Sequence, residues 1–142
     1  MFDNTYGIEP QSTGARREGL EINEISGAVI DSALEVHIAL GPGLLEEVYK
    51  KCLKTELIGR GIKVLSEVGL PVRYKNISVD LGYRIDLLVE DLVIVELKSV
   101  QQITSIHKAQ LFTHMKLANK PLGLLLNFNS RLMKEGILRV IL

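Results

Sequence analysis

Two short stretches of this chain carry side chains from which hydrolytic chemistry is built: Tyr83-Arg84-Ile85-Asp86, and Leu92-Val93-Ile94-Val95-Glu96-Leu97-Lys98. Side chains alternate between the faces of a strand, so Glu96 and Lys98 point one way and Val95 and Leu97 the other. A strand this apolar is usually buried on both faces. Leaving a carboxylate there uncompensated costs on the order of several kcal/mol. A divalent metal shared by Asp86 and Glu96, with Lys98 beside it, would supply the compensation. Phosphodiester hydrolysis needs those parts: an activated water, and positive charge to neutralise a phosphorane-like transition state. Carboxylate-held Mg²⁺ or Mn²⁺ can provide both, and a lysine can orient the water or stabilise the developing charge. The competing reading is an ordinary surface hairpin carrying a Glu-Lys pair.

Register sets a condition on this chemistry. An even-numbered loop at Glu90-Asp91 would pair Asp86 with Val95 and put the two carboxylates on opposite faces. Convergence of Asp86 and Glu96 requires an odd-numbered connection or a bulge, and such an irregularity is expected here.

The segment from Ile103 to Ala118 has helical spacing. At 100° per residue, Ile103, Ile106, His107, Gln110, Thr113, His114, Leu117 and Ala118 share one face, with Lys108, Phe112, Lys116 and Asn119 opposite. If that face packs on the sheet, two histidines and a glutamine lie over the hairpin, suited to bonding a phosphate or the carboxylates. The His107–His114 spacing is not the i, i+4 pair that chelates zinc. A second pointed segment is Gly43-Leu44-Leu45-Glu46-Glu47-Val48-Tyr49, where Glu46 and Tyr49 share a helix face. Glu46 in a first helical turn also suits the helix dipole, which is the alternative account of it. His37 sits near the end of the preceding helix, where it suits that C-terminus.

These residues must be positioned by the elements around them. Residues 1–19, with Gly, Pro, Ser, Thr and Asn and little periodicity, read as a flexible lead-in to a single domain over 20–142. Arg16-Arg17 in that lead-in read as solvated charge. Apolar residues from Leu20 to Leu40 recur at helical spacing, Gly41-Pro42-Gly43 stops the helix, and a second helix ends at Gly59 and Gly61. Strands are expected over Lys63–Glu67, Leu70–Tyr74, Ile77–Val79, Gly82–Val89 and Leu92–Lys98. The helix from Ile103, a strand Leu122–Phe128 and a last strand Ile137–Leu142 follow. That order predicts an α/β (α+β) domain with a mixed sheet flanked by helices.

Composition narrows the function classes. At 142 residues the chain is one domain, with 46% hydrophobic and 24% charged residues. No apolar run can span a membrane and no signal-peptide pattern opens the chain, which predicts a cytoplasmic protein. Its single cysteine, Cys52, excludes an internal disulfide and a cysteine-based zinc site, and its place in an apolar helical pattern makes it a core residue. The 17 basic and 17 acidic residues give zero net charge, which argues against a strong nonspecific polyanion binder. An exposed Phe112 on a neutral surface would suit a homodimer.

Taken together, Gly43, Glu46 and Tyr49, preceded by His37 and Leu40-Gly41-Pro42-Gly43, then Tyr83-Arg84-x-Asp86, Val95-Glu96-Leu97-Lys98, Gln110 and Leu122-Gly123-Leu124-Leu125-Leu126-Asn127-Phe128, resemble the GxxExxY family. That family is a small-protein branch of the PD-(D/E)XK nuclease superfamily, and the resemblance runs from about residue 20 to the C-terminus. It implies a restriction-endonuclease-like core, α-β-β-β-α-β. It implies a catalytic set of Glu46, Asp86, Glu96, Lys98 and Gln110, with Asp86 and Glu96 holding Mg²⁺ or Mn²⁺ and Glu46 as a third acidic group nearby. Tyr49, Arg84, His107 and His114 are expected as substrate contacts, the two histidines from the helix face given above, and nucleic acid as the substrate. One departure stands out: related nucleases often carry a tyrosine four residues after the helix glutamine, where this chain has His114, which can still donate to a phosphate. The leading expectation is therefore a metal-dependent nuclease acting on DNA or RNA. A non-catalytic nucleic-acid-binding or protein-interaction module that kept the fold, and hydrolysis of a smaller phosphoester, are the alternatives.

Overall fold

The structure, a computed structural model, describes residues 14–142, with side chains from residue 21 onward. Helix α1 (Gly14–Leu40) takes in the last six residues of the expected lead-in, and the remainder of that segment lies outside the described residues. The other elements are α2 (Glu46–Gly59), β1 (Val64–Gly69), β2 (Val72–Tyr74), β3 (Ile77–Val79), β4 (Arg84–Val89), β5 (Val93–Lys98), α3 (Ser105–Ala118), β6 (Leu122–Asn127), a 3₁₀ turn (Met133–Gly136) and β7 (Ile137–Ile141). Five strands form one sheet in the order β1-β4-β5-β6-β7, and β2 and β3 pair as a separate ribbon. Among the described strands only β5 and β6 run parallel. Parallel neighbours need a crossover, and α3 supplies it. The result is the mixed, helix-flanked α+β sheet expected of a restriction-endonuclease-like core.

Burial follows the strand period. On one face Val93, Val95 and Leu97 of β5 and Leu122, Leu124 and Leu126 of β6 pack beneath α1 and α2, joined by Val29, Tyr49, Leu53 and Leu57. On the other, Ile94 and Leu125 meet Leu111 and Met115 of α3. Strand β5 is thus covered on both sides, as its unbroken apolar run implies. Glu96 shares the α3 face with Ile94, so a carboxylate is carried into a buried layer.

The β4–β5 connection meets the register condition. Val89 pairs with Val93, Leu88 with Ile94 and Leu87 with Val95, leaving Glu90, Asp91 and Leu92 between the strands. Three is an odd number, so the register continued by one step sets Asp86 opposite Glu96. Glu90 and Asp91 both have positive φ, at 52° and 57°, the left-handed backbone that lets so short a connection close.

Helix α3 differs from its expected orientation. Its sheet-facing stripe is Leu111 and Met115, flanked by Ile103 and Ala118, so the helix is turned by roughly a quarter of a revolution from the face given above. Ile106, Gln110, Thr113 and Leu117 are exposed, and His114 falls at the edge of the buried stripe. The cause is the floor beneath the helix. A Cβ on Gly123 of β6 would lie 2.6 Å from Met115 Sδ and 2.9 Å from Leu111 Cδ1, so the helix seats its two large apolar side chains in the gap left by that glycine. Full burial of each such side chain contributes about 1.5–3 kcal/mol, more than the amphipathic balance of the alternative face.

Gly123→Ala is accordingly expected to destabilise the fold by about 1–3 kcal/mol through overpacking, read as a lower urea midpoint at unchanged m-value. An unchanged midpoint would mean that α3 is not seated on Gly123.

Candidate active site

Strand alternation breaks at one place, and the site is built there. Ile85 belongs with the α3-side cluster while Leu87, two residues on, belongs with the α1/α2 side. The same reversal occurs in β1, where Val64 packs with the first cluster and Val68 with the second. Between them Glu67 has φ 56° and faces Asp86 across the ladder, bracketed by the pairs Ser66–Leu87 and Val68–Ile85. Left-handed backbone turns a strand over, and glutamate rarely adopts it. Here it directs the Asp86 side chain along the sheet: Asp86 Oδ2 accepts the Leu97 N–H at 2.9 Å, a donor that the neighbouring strand backbone would otherwise satisfy. The last β4–β5 pair is Leu87–Val95, and beyond it the carboxylate stands in for the ladder.

Around that point the elements converge. Glu96, buried on β5, is bonded through Oε2 to His114 Nδ1 of α3 at 2.6 Å. Lys98 follows two residues along β5 on the same face, half-buried, and no hydrogen bond or ion pair among the described residues holds its ammonium. The end of β5 is clamped from both sides. Ser99 Oγ donates to the Leu44 carbonyl at 2.6 Å, and the Ser99 N–H reaches Glu46 Oε2 at 3.4 Å. Asn127 of β6 accepts the Val100 N–H and donates to the Val100 carbonyl. Glu46, exposed in the first turn of α2, is thereby joined to the residue after Lys98.

Tyr49 has a different place from the expected substrate contact. It is fully buried and stacked on Phe128 with ring centroids 4.6 Å apart. Its hydroxyl donates to the Gly41 carbonyl at 2.5 Å and accepts the Leu44 N–H at 3.0 Å. Gly41 and Gly43 have φ of 71° and 103°, so the glycines let the loop fold back onto the tyrosine. Tyr49 fixes the loop that carries Glu46 and is closed to substrate. His107 is corrected likewise. Its Nδ1 accepts the Thr104 N–H at 3.0 Å in the place glutamate takes in a capping box, so it caps α3 rather than covering the hairpin. Gln110 is exposed beside His114, bordering the same depression. Arg84 is exposed two residues before Asp86, its guanidinium donating to the Tyr83 carbonyl. His37 is buried and its Nε2 bonds the Ser130 carbonyl at 2.9 Å, tying α1 to the loop after β6.

Two groups in this neighbourhood were not singled out by the sequence. Lys50 of α2 pairs with Glu47 at 3.0 Å and also with Glu67, and its positive charge acts on Asp86. Burial opposes the charge on Lys50, but hydrogen bonds to Glu67 and Glu47 outweigh it and hold its pKa above the ordinary value. No single position flags it, because Lys50, Glu67 and Asp86 meet only through the tertiary fold.

The electrostatics of the site are set first by burial. Burial raises the Asp86 pKa above the usual carboxylate value, the Leu97 N–H pulls it down, and the charge on Glu96 pushes it up again. The hydrogen bond that His114 donates to Glu96 raises the His114 pKa against the opposing effect of burial. One oxygen of each carboxylate is committed, Asp86 Oδ2 to Leu97 and Glu96 Oε2 to His114, while the other has no hydrogen bond among the described residues. Those donors fit a hard divalent cation such as Mg²⁺, which takes one or two carboxylates and keeps its remaining positions for water and phosphate. Among the described residues no three His, Cys, Asp or Glu side chains close around one point, so an all-protein cage of the calcium or zinc kind is not formed. Two larger depressions, of about 420 and 580 Å³, lie between α1 and α2 and beside β1, away from both carboxylates.

The raised pKa values of Asp86 and His114 act on stability in one direction. The folded state binds more protons than the unfolded chain, so each contribution is complete below the unfolded pKa and is lost as pH rises through the folded one. Metal-free protein is therefore expected to lose stability as pH rises past the carboxylate range and again past the histidine range. Asp86→Asn keeps an acceptor for the Leu97 N–H and removes the charge. It should raise the metal-free melting temperature at neutral pH and flatten the first of these two losses, as followed by calorimetry; a lower melting temperature would mean that the carboxylate charge is already compensated. Tyr49→Phe should cost about 1–2 kcal/mol by leaving the Leu44 N–H and Gly41 carbonyl without their partner, read by chemical denaturation.

The family model of the PD-(D/E)XK nuclease superfamily matches residues 23–140. Comparison with curated proteins and with solved structures returns no match. The matched span runs from α1 through β7 and contains every group of the site, so the chain belongs to the PD-(D/E)XK nuclease superfamily.

Proposed function

We propose that this protein is a divalent-metal-dependent nuclease of the GxxExxY branch, hydrolysing phosphodiester bonds of DNA or RNA. The observation that carries this reading is the Asp86–Glu96 pair: two carboxylates set on opposing positions of one hairpin, one raised in pKa by burial and by the other's charge, each with one oxygen that makes no hydrogen bond among the described residues. Asp86 and Glu96 would hold Mg²⁺ or Mn²⁺, which supplies Lewis acidity toward a phosphoryl oxygen and lowers the pKa of a bound water. His114 fixes the Glu96 carboxylate through Oε2, leaving Oε1 for the metal. The Leu97 N–H does the same for Asp86. Lys98, on the same strand face and without an ion-pair partner among the described residues, orients the attacking water or neutralises charge on the transferring phosphoryl. Glu46 acts through the Ser99 N–H on the strand end that carries Lys98. Arg84 and Gln110, exposed at the margins, are placed for the substrate backbone.

Zero net charge favours a second reading, a binding module that keeps the fold without cutting. The two readings separate in a cleavage assay with single- and double-stranded DNA and RNA in Mg²⁺ or Mn²⁺. The nuclease reading predicts cleavage that falls roughly 100-fold or more in both Asp86→Ala and Lys98→Ala, while Lys98→Ala keeps the wild-type fold by circular dichroism. Absence of cleavage on every substrate supports the module, and cleavage untouched by both substitutions contradicts the site.

A further inference from the structure

Because α3 is turned from the expected face, it presents Ile106, Ala109, Gln110, Thr113, His114 and Leu117 to the outside, where they border a depression of about 380 Å³. Its opposite wall is Val72 of the β2–β3 ribbon and Tyr83, the residue before β4. The lining is mainly apolar, with the exposed phenol ring of Tyr83, one primary amide, one imidazole and the aliphatic hydroxyl of Thr113. Gln110 and Thr113 make no side-chain hydrogen bond among the described residues. Its volume falls in the range of small-ligand sites. His114 belongs both to this depression and to the carboxylate pair, since its Nδ1 holds Glu96. A group seated here is therefore one side chain away from the proposed reacting phosphate.

We propose that this depression is a nucleobase pocket, and that the substrate is a single strand or a nucleotide extruded from a duplex, a proposal that rests on the nuclease reading above. A heterocyclic base has two apolar faces and a polar edge. Tyr83, Val72, Ile106 and Leu117 suit the faces; the Gln110 amide, a donor and an acceptor together, suits the edge. Zero net charge points the same way: with no cationic excess to hold a duplex backbone, affinity has to come from stacking, which every base offers. A base paired inside a continuous duplex cannot enter the pocket. Leu117 also borders the neighbouring trough that carries Arg73, Lys116 and Lys120, the last paired with Asp91 at 3.1 Å, so Arg73 and Lys116 continue positive charge along one side of the pocket where the strand's next phosphates would lie.

The test is binding in EDTA, where nothing is cut, by fluorescence anisotropy of labelled oligonucleotides. Four probes are compared: a single-stranded DNA, the equivalent RNA, the same DNA strand with abasic residues throughout, and the DNA duplex. The pocket predicts that either base-bearing single strand binds roughly 10-fold or more tightly than the abasic strand or the duplex. Tyr83→Ala should erase that preference and Tyr83→Phe should keep it; the ring is 55% exposed, so neither substitution threatens folding. The DNA and RNA arms show which sugar is accepted. Equal binding of abasic and base-bearing strands, tighter binding of the duplex, or no binding of single strands overturns the pocket. Cleavage in Mg²⁺ that depends on Asp86 while abasic and normal strands bind alike would remove the pocket and leave the nuclease reading standing. A Tyr83-dependent preference for bases without Asp86-dependent cleavage would remove the nuclease reading instead.

Discussion

Everything at this site depends on one hydrogen bond in which a side chain replaces backbone: Asp86 Oδ2 accepting the N–H of Leu97. A buried strand N–H has to be satisfied. By giving that task to a carboxylate, the chain ends the β4–β5 ladder at Leu87–Val95 and brings a negative charge to the strand end beside Glu96. The left-handed backbone at Glu67 and the reversal of faces on either side of Asp86 follow from the same requirement, since an aspartate kept in ordinary alternation would point away from the sheet plane. Strain of this kind, about 1–3 kcal/mol for a residue held at such φ, persists only where surrounding contacts enforce it. The pairing of Lys50 with Glu67 and Glu47 is one of those contacts.

The second organising feature is that Glu46, Glu96 and Lys98 are each positioned by more than their own element. Lys98 sits at a strand end held by Ser99 to the loop before α2 and by Asn127 to β6. That loop is in turn held by the buried Tyr49 hydroxyl. Glu96 owes its orientation to His114 on α3, and α3 owes its rotation to the gap above Gly123. The core and the site therefore share residues. Gly43, Glu46 and Tyr49 contribute rigidity here: the glycine and tyrosine shape and latch the loop, and the glutamate meets the strand end.

Much of this was legible in the residues. The switch from helical to strand period, the odd-numbered β4–β5 connection and the covering of β5 on both faces follow from side-chain periodicity and the demand that two carboxylates converge. The rotation of α3 was not legible, because Ile106 and Leu117 make an apolar stripe as convincing as Leu111 and Met115. Only the missing side chain of Gly123, on another element, decides between them. The spacing of Glu46 and Tyr49 puts both on one helix face, yet the turn of helix between an exposed Glu46 and a fully buried Tyr49 separates surface from core. The Lys50–Glu67 pair spans 17 positions, and glutamate is seldom left-handed, so no local rule marks either residue.

The central proposal is that Asp86 and Glu96 together hold a divalent cation. The most direct test is anomalous diffraction from crystals soaked in Mn²⁺, with Asp86→Asn crystals treated identically. A single anomalous peak bonded to both carboxylates in the wild type and lost in Asp86→Asn is the predicted result. Diffraction showing Asp86 and Glu96 without manganese at saturating concentration, or manganese bound equally well in Asp86→Asn, would contradict the account.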